Sequence, residues 1–176
     1  ELASYLTQPG ENGPLYFMGL ELWLRAAGQS ELALRFSSTG AALIAVALVY
    51  AVGRRLFGRW ETGAAAALLA AVNPYLAWYA GEGKMYALVT ALALLSTYLL
   101  LRALEAGRNG LWLGYVVVTT ALFYIHILTP LILPVHVLLA LCLHPRAVRS
   151  RGAILAAGAL TLPYLPLIVW QLPHLL

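Results

Sequence analysis

Long apolar runs, interrupted at intervals by short polar clusters, dominate the chain. The runs are Phe36–Val52, Thr62–Tyr79, Met85–Leu104, Leu111–Leu143 and Ala153–Trp170. A bilayer's hydrocarbon core needs about 20 apolar residues per helix. Four of these runs fit one crossing each. The stretch 111–143 is too long for one ordinary span, and His126, Thr129, Pro130 and Pro134 interrupt it. It is read as two short spans meeting near residues 126–130, which brings the total to six. Asn73-Pro74 breaks the second span, and Pro163 and Pro166 are expected to kink the last. Residues 14–28 have a different pattern. Pro14 suits a first helical turn, Glu21 and Arg25 stand at i,i+4, and Tyr16, Phe17, Trp23 and Leu24 supply apolar surface. That pattern predicts an amphipathic helix lying in the membrane interface.

Composition agrees with this pattern. Of 176 residues, 62% are hydrophobic and 10% charged, against about 25% charged in a soluble domain. Mean hydropathy is +0.81. Too few polar residues remain to cover a soluble surface, and the expected fold is an all-α, polytopic transmembrane helical bundle. A net charge of +4 could suggest nucleic acid, but the basic residues sit in short loops between apolar runs, as the positive-inside rule expects. Eight of the eleven Lys and Arg residues fall in or beside the loops at 53–61, 103–110 and 144–152, so that side is read as cytoplasmic. The N-terminal segment, the 80–84 loop, the 126–130 turn and the C-terminal end then face outward. One long helix over 111–143 would reverse that parity and put the basic 144–152 loop outside. The lone Cys142 cannot form an intrachain disulfide.

The chain opens at Glu1 with no basic n-region and stops after Pro173-His174-Leu175-Leu176. The expectation is a segment of one transmembrane catalytic domain, with residues 1–35 as an outer loop carrying the interfacial helix and residues 36–171 as the spans. A first span and a C-terminal remainder are expected outside it.

Ionisable residues near a bilayer are functional candidates, and three outward clusters supply them. In Glu11-Asn12-Gly13-Pro14, Glu11 is either a carboxylate base or metal ligand, or part of a helix N-cap with Asn12. In Glu82-Gly83-Lys84-Met85-Tyr86, Glu82 offers a second carboxylate and Lys84 a point charge for phosphate; the alternative is a solvated turn with Tyr86 as an interfacial anchor. His126, beside Tyr124, can bind metal, shuttle protons or hydrogen-bond a phosphate, or it is a packed histidine. Arg35 opens the first span against the charge rule, to pair with Glu31 or to reach a lipid phosphate. His136, on an apolar stretch, reads as structural. No GxxxxGK[ST], HExxH, CxxC pair or GxSxG occurs, which argues against nucleotide-dependent chemistry.

Several of these segments resemble a known family. Gly13-Pro14-Leu15-Tyr16-Phe17 with Leu22-Trp23-Leu24 resembles its "HPPLYF…LWL" signature, and Ser30-Glu31-Leu32-Ala33-Leu34-Arg35 with Ser37-Ser38 its "SEfalRlpS". Gly53-Arg54-Arg55-Leu56-Phe57-Gly58 is similar to "GRRLFG". Asn73-Pro74-Tyr75-Leu76-Ala77-Trp78-Tyr79 with Glu82-Gly83-Lys84-Met85-Tyr86-Ala87-Leu88 is similar to "sPfliwYsqEaRmYaL". Tyr124-Ile125-His126 is similar to "YtHy", and Leu162-Pro163-Tyr164-Leu165-Pro166 with Gln171 to "yLPwlpvllrQ". The family is that of GT-C type membrane glycosyltransferases, near the protein O-mannosyltransferases and aminoarabinose transferases.

The resemblance implies transfer of a sugar, with inversion, from a polyprenyl-phosphate carrier to a glycan, lipid or protein acceptor on the extracytoplasmic face of the cytoplasmic membrane. It implies catalytic carboxylates among Glu82, Glu11 and Glu1, and substrate contacts from Asn12, Tyr16, Arg35, Lys84, Tyr86, Tyr124 and His126. A divalent metal, if used, has Glu11 and His126 as candidate ligands. Glu1-Leu2-Ala3-Ser4-Tyr5 is similar to the end of a "DEaxY" segment, which implies an Asp just before Glu1. Two positions depart from the family pattern: Asn12-Gly13 stands for His-Pro, and Lys84 for Arg. The competing functions are a membrane transporter or lipid flippase, which would place polar groups on broken helices at mid-membrane, and a non-catalytic membrane scaffold.

Overall fold

The computed structural model describes residues 13–171. Among them the elements are α1 (Pro14–Ala27), α2 (Glu31–Phe57), α3 (Trp60–Ala71), α4 (Pro74–Gly81), α5 (Tyr86–Ala106), α6 (Asn109–Phe123), α7 (Ile132–Leu143) and α8 (Arg151–Gln171). Short 3-10 turns at Thr129–Leu131 and Ala147–Arg149 precede α7 and α8. The described residues contain no strand, and their fold is all-α as expected.

Among the described residues, the two helices long and apolar enough to cross a membrane are α2 and α5. At 1.5 Å per residue they extend about 40 and 32 Å, against a hydrocarbon core of about 30 Å. Asn109–Phe123 and Thr129–Leu143 are shorter apolar helices. The outward faces are apolar too: Leu32 is 77% exposed, Leu43 69% and Leu155 71%. Lipid tails solvate such faces without cost, whereas water does not.

α2 begins at Glu31, inside the segment expected to be an outer loop. Ser30 caps it, its hydroxyl accepting from the Ala33 amide at 3.1 Å, and Gly58 closes it in the left-handed conformation. The polar ends therefore belong to the helix even though the apolar pattern starts later. The second run is interrupted where Asn73-Pro74 stands. The Asn73 side chain accepts from the amides of Tyr75 and Leu76 at 2.9 and 3.1 Å, capping α4, while Pro74 occupies its first turn. The 111–143 stretch divides between Phe123 and Ile132, a break that contains the expected meeting point at 126–130; Pro130 lies in the 3-10 turn, whereas Pro134 lies inside α7. α8 runs through Pro163 and Pro166.

Among the described residues the helices form two compact units, one of residues 16–98 and one of residues 13–15 with 99–171. In the first, α2 packs on α3 and α4. Gly63 allows the closest approach there, since a β-carbon on it would lie 2.7 Å from the Tyr50 carbonyl oxygen. Ala41, Ala42 and Ala87 form its small-residue core. In the second, α6 packs on α8, around a core that includes Leu104, Trp112, Phe123 and Leu160.

Candidate active site

The Glu82-Gly83-Lys84 turn joins α4 to α5, and the unit Tyr16–Tyr98 holds it from several sides. Gly83 takes a φ of +65°, a region open to glycine at little cost. A β-carbon there would also come within 2.8 Å of the Leu34 side chain. The Gly83 carbonyl accepts from the Tyr16 hydroxyl at 2.8 Å. The Lys84 carbonyl accepts from the buried Ser38 hydroxyl at 3.0 Å, and the Ala80 carbonyl from Thr39 at 3.0 Å. The end of α4 leaves its last carbonyls without helical partners; Thr39 of α2 meets that of Ala80, while Tyr16 and Ser38 meet carbonyls of the turn itself. Burial raises the Tyr16 hydroxyl above the ordinary phenol value, so it remains a donor through the neutral range.

The Glu82 carboxylate is gripped at both oxygens. Trp78 donates its indole N–H to Oε1 at 2.7 Å, and the Lys84 ammonium stands 3.4 Å from Oε2. Glu82 is a quarter exposed while Lys84 is mostly exposed. The carboxylate is thus oriented, and the cation beside it is open to an anion. Tyr86 stacks at a tilt on Tyr79, with ring centroids 4.6 Å apart. Arg35 pairs with Glu31 at 2.6 Å in an exposed i,i+4 bridge. Trp23 of α1 donates to the Ala33 carbonyl at 2.8 Å and stacks on Phe36, which fixes α1 to the start of α2.

Tyr124 and His126 belong to the other unit. The Gly13 amide donates to the Ile125 carbonyl at 2.8 Å and the Leu15 amide to the Tyr124 carbonyl at 3.2 Å. A β-carbon on Gly13 would sit 1.8 Å from the Tyr124 carbonyl oxygen. Here the departure from His-Pro acquires a physical reason, because proline would lack the donated N–H and would collide. The Tyr124 hydroxyl donates to the Pro163 carbonyl at 2.9 Å. The Leu128 amide donates to His126 Nδ1 at 3.2 Å, so in the neutral ring Nε2 carries the proton. The Thr129 hydroxyl lies within reach of the His126 and Leu122 carbonyls, at 2.7 and 2.8 Å. His136, expected to be structural, is buried and hydrogen-bonded to the Tyr115 hydroxyl at 3.1 Å.

Glu82, Lys84 and Tyr16 therefore meet in one turn. Glu1, Glu11 and Asn12 lie outside the described residues. Among the described residues no three His, Cys, Asp or Glu side chains cluster to hold a metal ion. The sequence reading missed Trp78, Ser38 and Thr39. Trp78 stands four residues before Glu82, a spacing that puts both on one helical face. Ser38 and Thr39 carry no local signal, because their partners lie more than 40 residues away.

The chain matches the family described as dolichyl-phosphate-mannose-protein mannosyltransferase over residues 11–170. It belongs to that family. Membership assigns it to the membrane glycosyltransferases, in agreement with its apolar helices. No curated protein and no solved structure matches it.

Proposed function

We propose that this member of the mannosyltransferase family moves a sugar from a polyprenyl-phosphate donor to an acceptor hydroxyl on the extracytoplasmic face, with inversion, within a six-span GT-C arrangement. The observation that carries the reading is the Glu82 carboxylate, oriented by Trp78 and flanked by an exposed ammonium. In one displacement the acceptor oxygen bonds to the anomeric carbon as the bond to the phosphate oxygen breaks. Glu82 takes the acceptor's proton. Lys84 meets the negative charge that the lipid phosphate gains. Its point charge needs no bidentate geometry, which the Arg of the family pattern would supply. Tyr16 and Ser38 hold the turn's backbone so that neither charged side chain has to.

On this reading His126 is a hydrogen-bond donor to phosphate. Its Nδ1 accepts from the Leu128 amide, which in the neutral ring puts the proton on Nε2. By the family resemblance Tyr86, Tyr124, Arg35 and Asn12 are further substrate contacts, and Glu11 and Glu1 further carboxylates. The outward orientation draws its support from the charge asymmetry, with eight of eleven basic residues on the opposite side.

The test is turnover of a panel of labelled polyprenyl-phosphate sugars by membranes carrying the protein, wild type against Glu82→Gln, with the anomeric configuration of the product determined. Inverted product, lost in the variant while the protein still inserts, is the expected result. Retained configuration, or turnover indifferent to Glu82→Gln, would contradict it. Loss on chelation with recovery on adding a divalent cation would move the charge-stabilising role from Lys84 to a metal.

A further inference from the structure

The unit Leu99–Leu176 contains an apolar cavity of about 400 Å³. Trp112 and Tyr115 of α6, His136 of α7, and Ala153 and Leu160 of α8 are among its walls. Val148, from the 3-10 turn Ala147–Arg149, closes one edge. The cavity follows α8 from Ala153 to Thr161, about 12 Å of helix. Of its polar side chains, Tyr115 and His136 are bonded to each other at 3.1 Å, and the Thr161 hydroxyl donates to the Gly158 carbonyl at 2.7 Å. Such a wall offers water few partners and suits a hydrocarbon. It lies along the first half of α6, whereas Tyr124 caps the far end of that helix.

The edge closed by Val148 has the opposite character. Arg146 and Arg149 flank that residue and Arg151 opens α8; all three are exposed. None forms an ion pair with another described residue. An apolar slot between helices bordered by unpaired cations is complementary to a lipid that is apolar at one end and anionic at the other.

We propose that the cavity and the Arg146–Arg151 loop bind an anionic glycerophospholipid from the leaflet that this loop faces. One acyl chain occupies the cavity and the headgroup phosphate meets the three arginines. The site is built from residues of one unit, Glu82 and Lys84 from the other, and it does not depend on the transfer reaction.

Trp112 reports occupancy directly. The purified protein in neutral detergent would be titrated with phosphatidylglycerol or phosphatidylcholine brominated on the acyl chain. Quenching of Trp112 is read as the difference between wild type and Trp112→Phe. Retained lipid is counted independently by native mass spectrometry. The expected result is quenching that saturates at a lower mole fraction for phosphatidylglycerol. Replacing Arg146, Arg149 and Arg151 with Gln should weaken that lipid by about fivefold per arginine and erase the preference. Ala157→Phe, at an exposed position on the cavity wall, should abolish quenching by both lipids with helical circular dichroism unchanged. Equal quenching by the two lipids, a preference that survives the triple substitution, or no Trp112 quenching would overturn the proposal. So would displacement of phosphatidylglycerol by an equimolar polyprenyl phosphate, which would give the site to the carrier.

Discussion

At the scale of single residues, the contacts that fix the candidate site are mostly to backbone. Gly13 tolerates no side chain, since even a methyl group would strike the Tyr124 carbonyl. Gly13→Ala should lose the two amide bonds that this segment donates to residues 124 and 125, at about 1–3 kcal/mol for each buried group left unpaired. Thermal unfolding in detergent measures it, and an unchanged midpoint would mean that the segment does not dock there. Glu82→Gln makes a sharper separation. Gln keeps an oxygen for the Trp78 indole but loses the charge facing Lys84. A partly exposed pair contributes less than about 1 kcal/mol, so stability should hardly change. Removal of a general base should lower the rate about 10²- to 10⁴-fold. A fall in the unfolding midpoint that matched the lost activity would make Glu82 structural.

At the scale of elements, breaks and caps determine where the polar turns fall. Asn73 caps α4 with two bonds. Asn73→Ala should therefore cost about 1 kcal/mol, seen as a lower unfolding midpoint with the helical circular dichroism nearly intact. Gly63→Val should cost more, because its side chain would be driven into the Tyr50 carbonyl and would separate α2 from α3. Much of this level was legible in the sequence. The Asn73-Pro74 break, the division of 111–143 and the interfacial pattern of 14–28 each emerge as helix boundaries, because proline and capping chemistry act locally. The start of α2 was not legible from hydropathy. Ser30 and Glu31 are polar, and only the cap bond assigns them to the helix. The candidate site was legible as residue types but not as contacts. Glu82 and Lys84 stand out by charge in an apolar chain. What Tyr16, Ser38 and Thr39 do for their turn depends on chain folding across 41 to 67 residues, which no local pattern encodes.

At the scale of the whole molecule, orientation in the membrane decides which compartment the Glu82 turn meets. The proposed orientation puts the basic loops in the cytoplasm, so a cysteine replacing Arg108 should resist a membrane-impermeant maleimide in intact cells and react after permeabilisation. A cysteine replacing Gln29, between α1 and α2, should react in intact cells; both are read in a Cys142→Ala background. The most direct measurement combines sidedness with chemistry. Right-side-out and inverted vesicles loaded with a labelled polyprenyl-phosphate sugar would be given an impermeant acceptor, with wild-type protein and Glu82→Gln. Glycosylation of the external acceptor in right-side-out vesicles alone, abolished by Glu82→Gln, is the expected result. Transfer confined to inverted vesicles, or transfer that persists in the variant, would contradict a glycosyltransferase that works through Glu82 on the extracytoplasmic face.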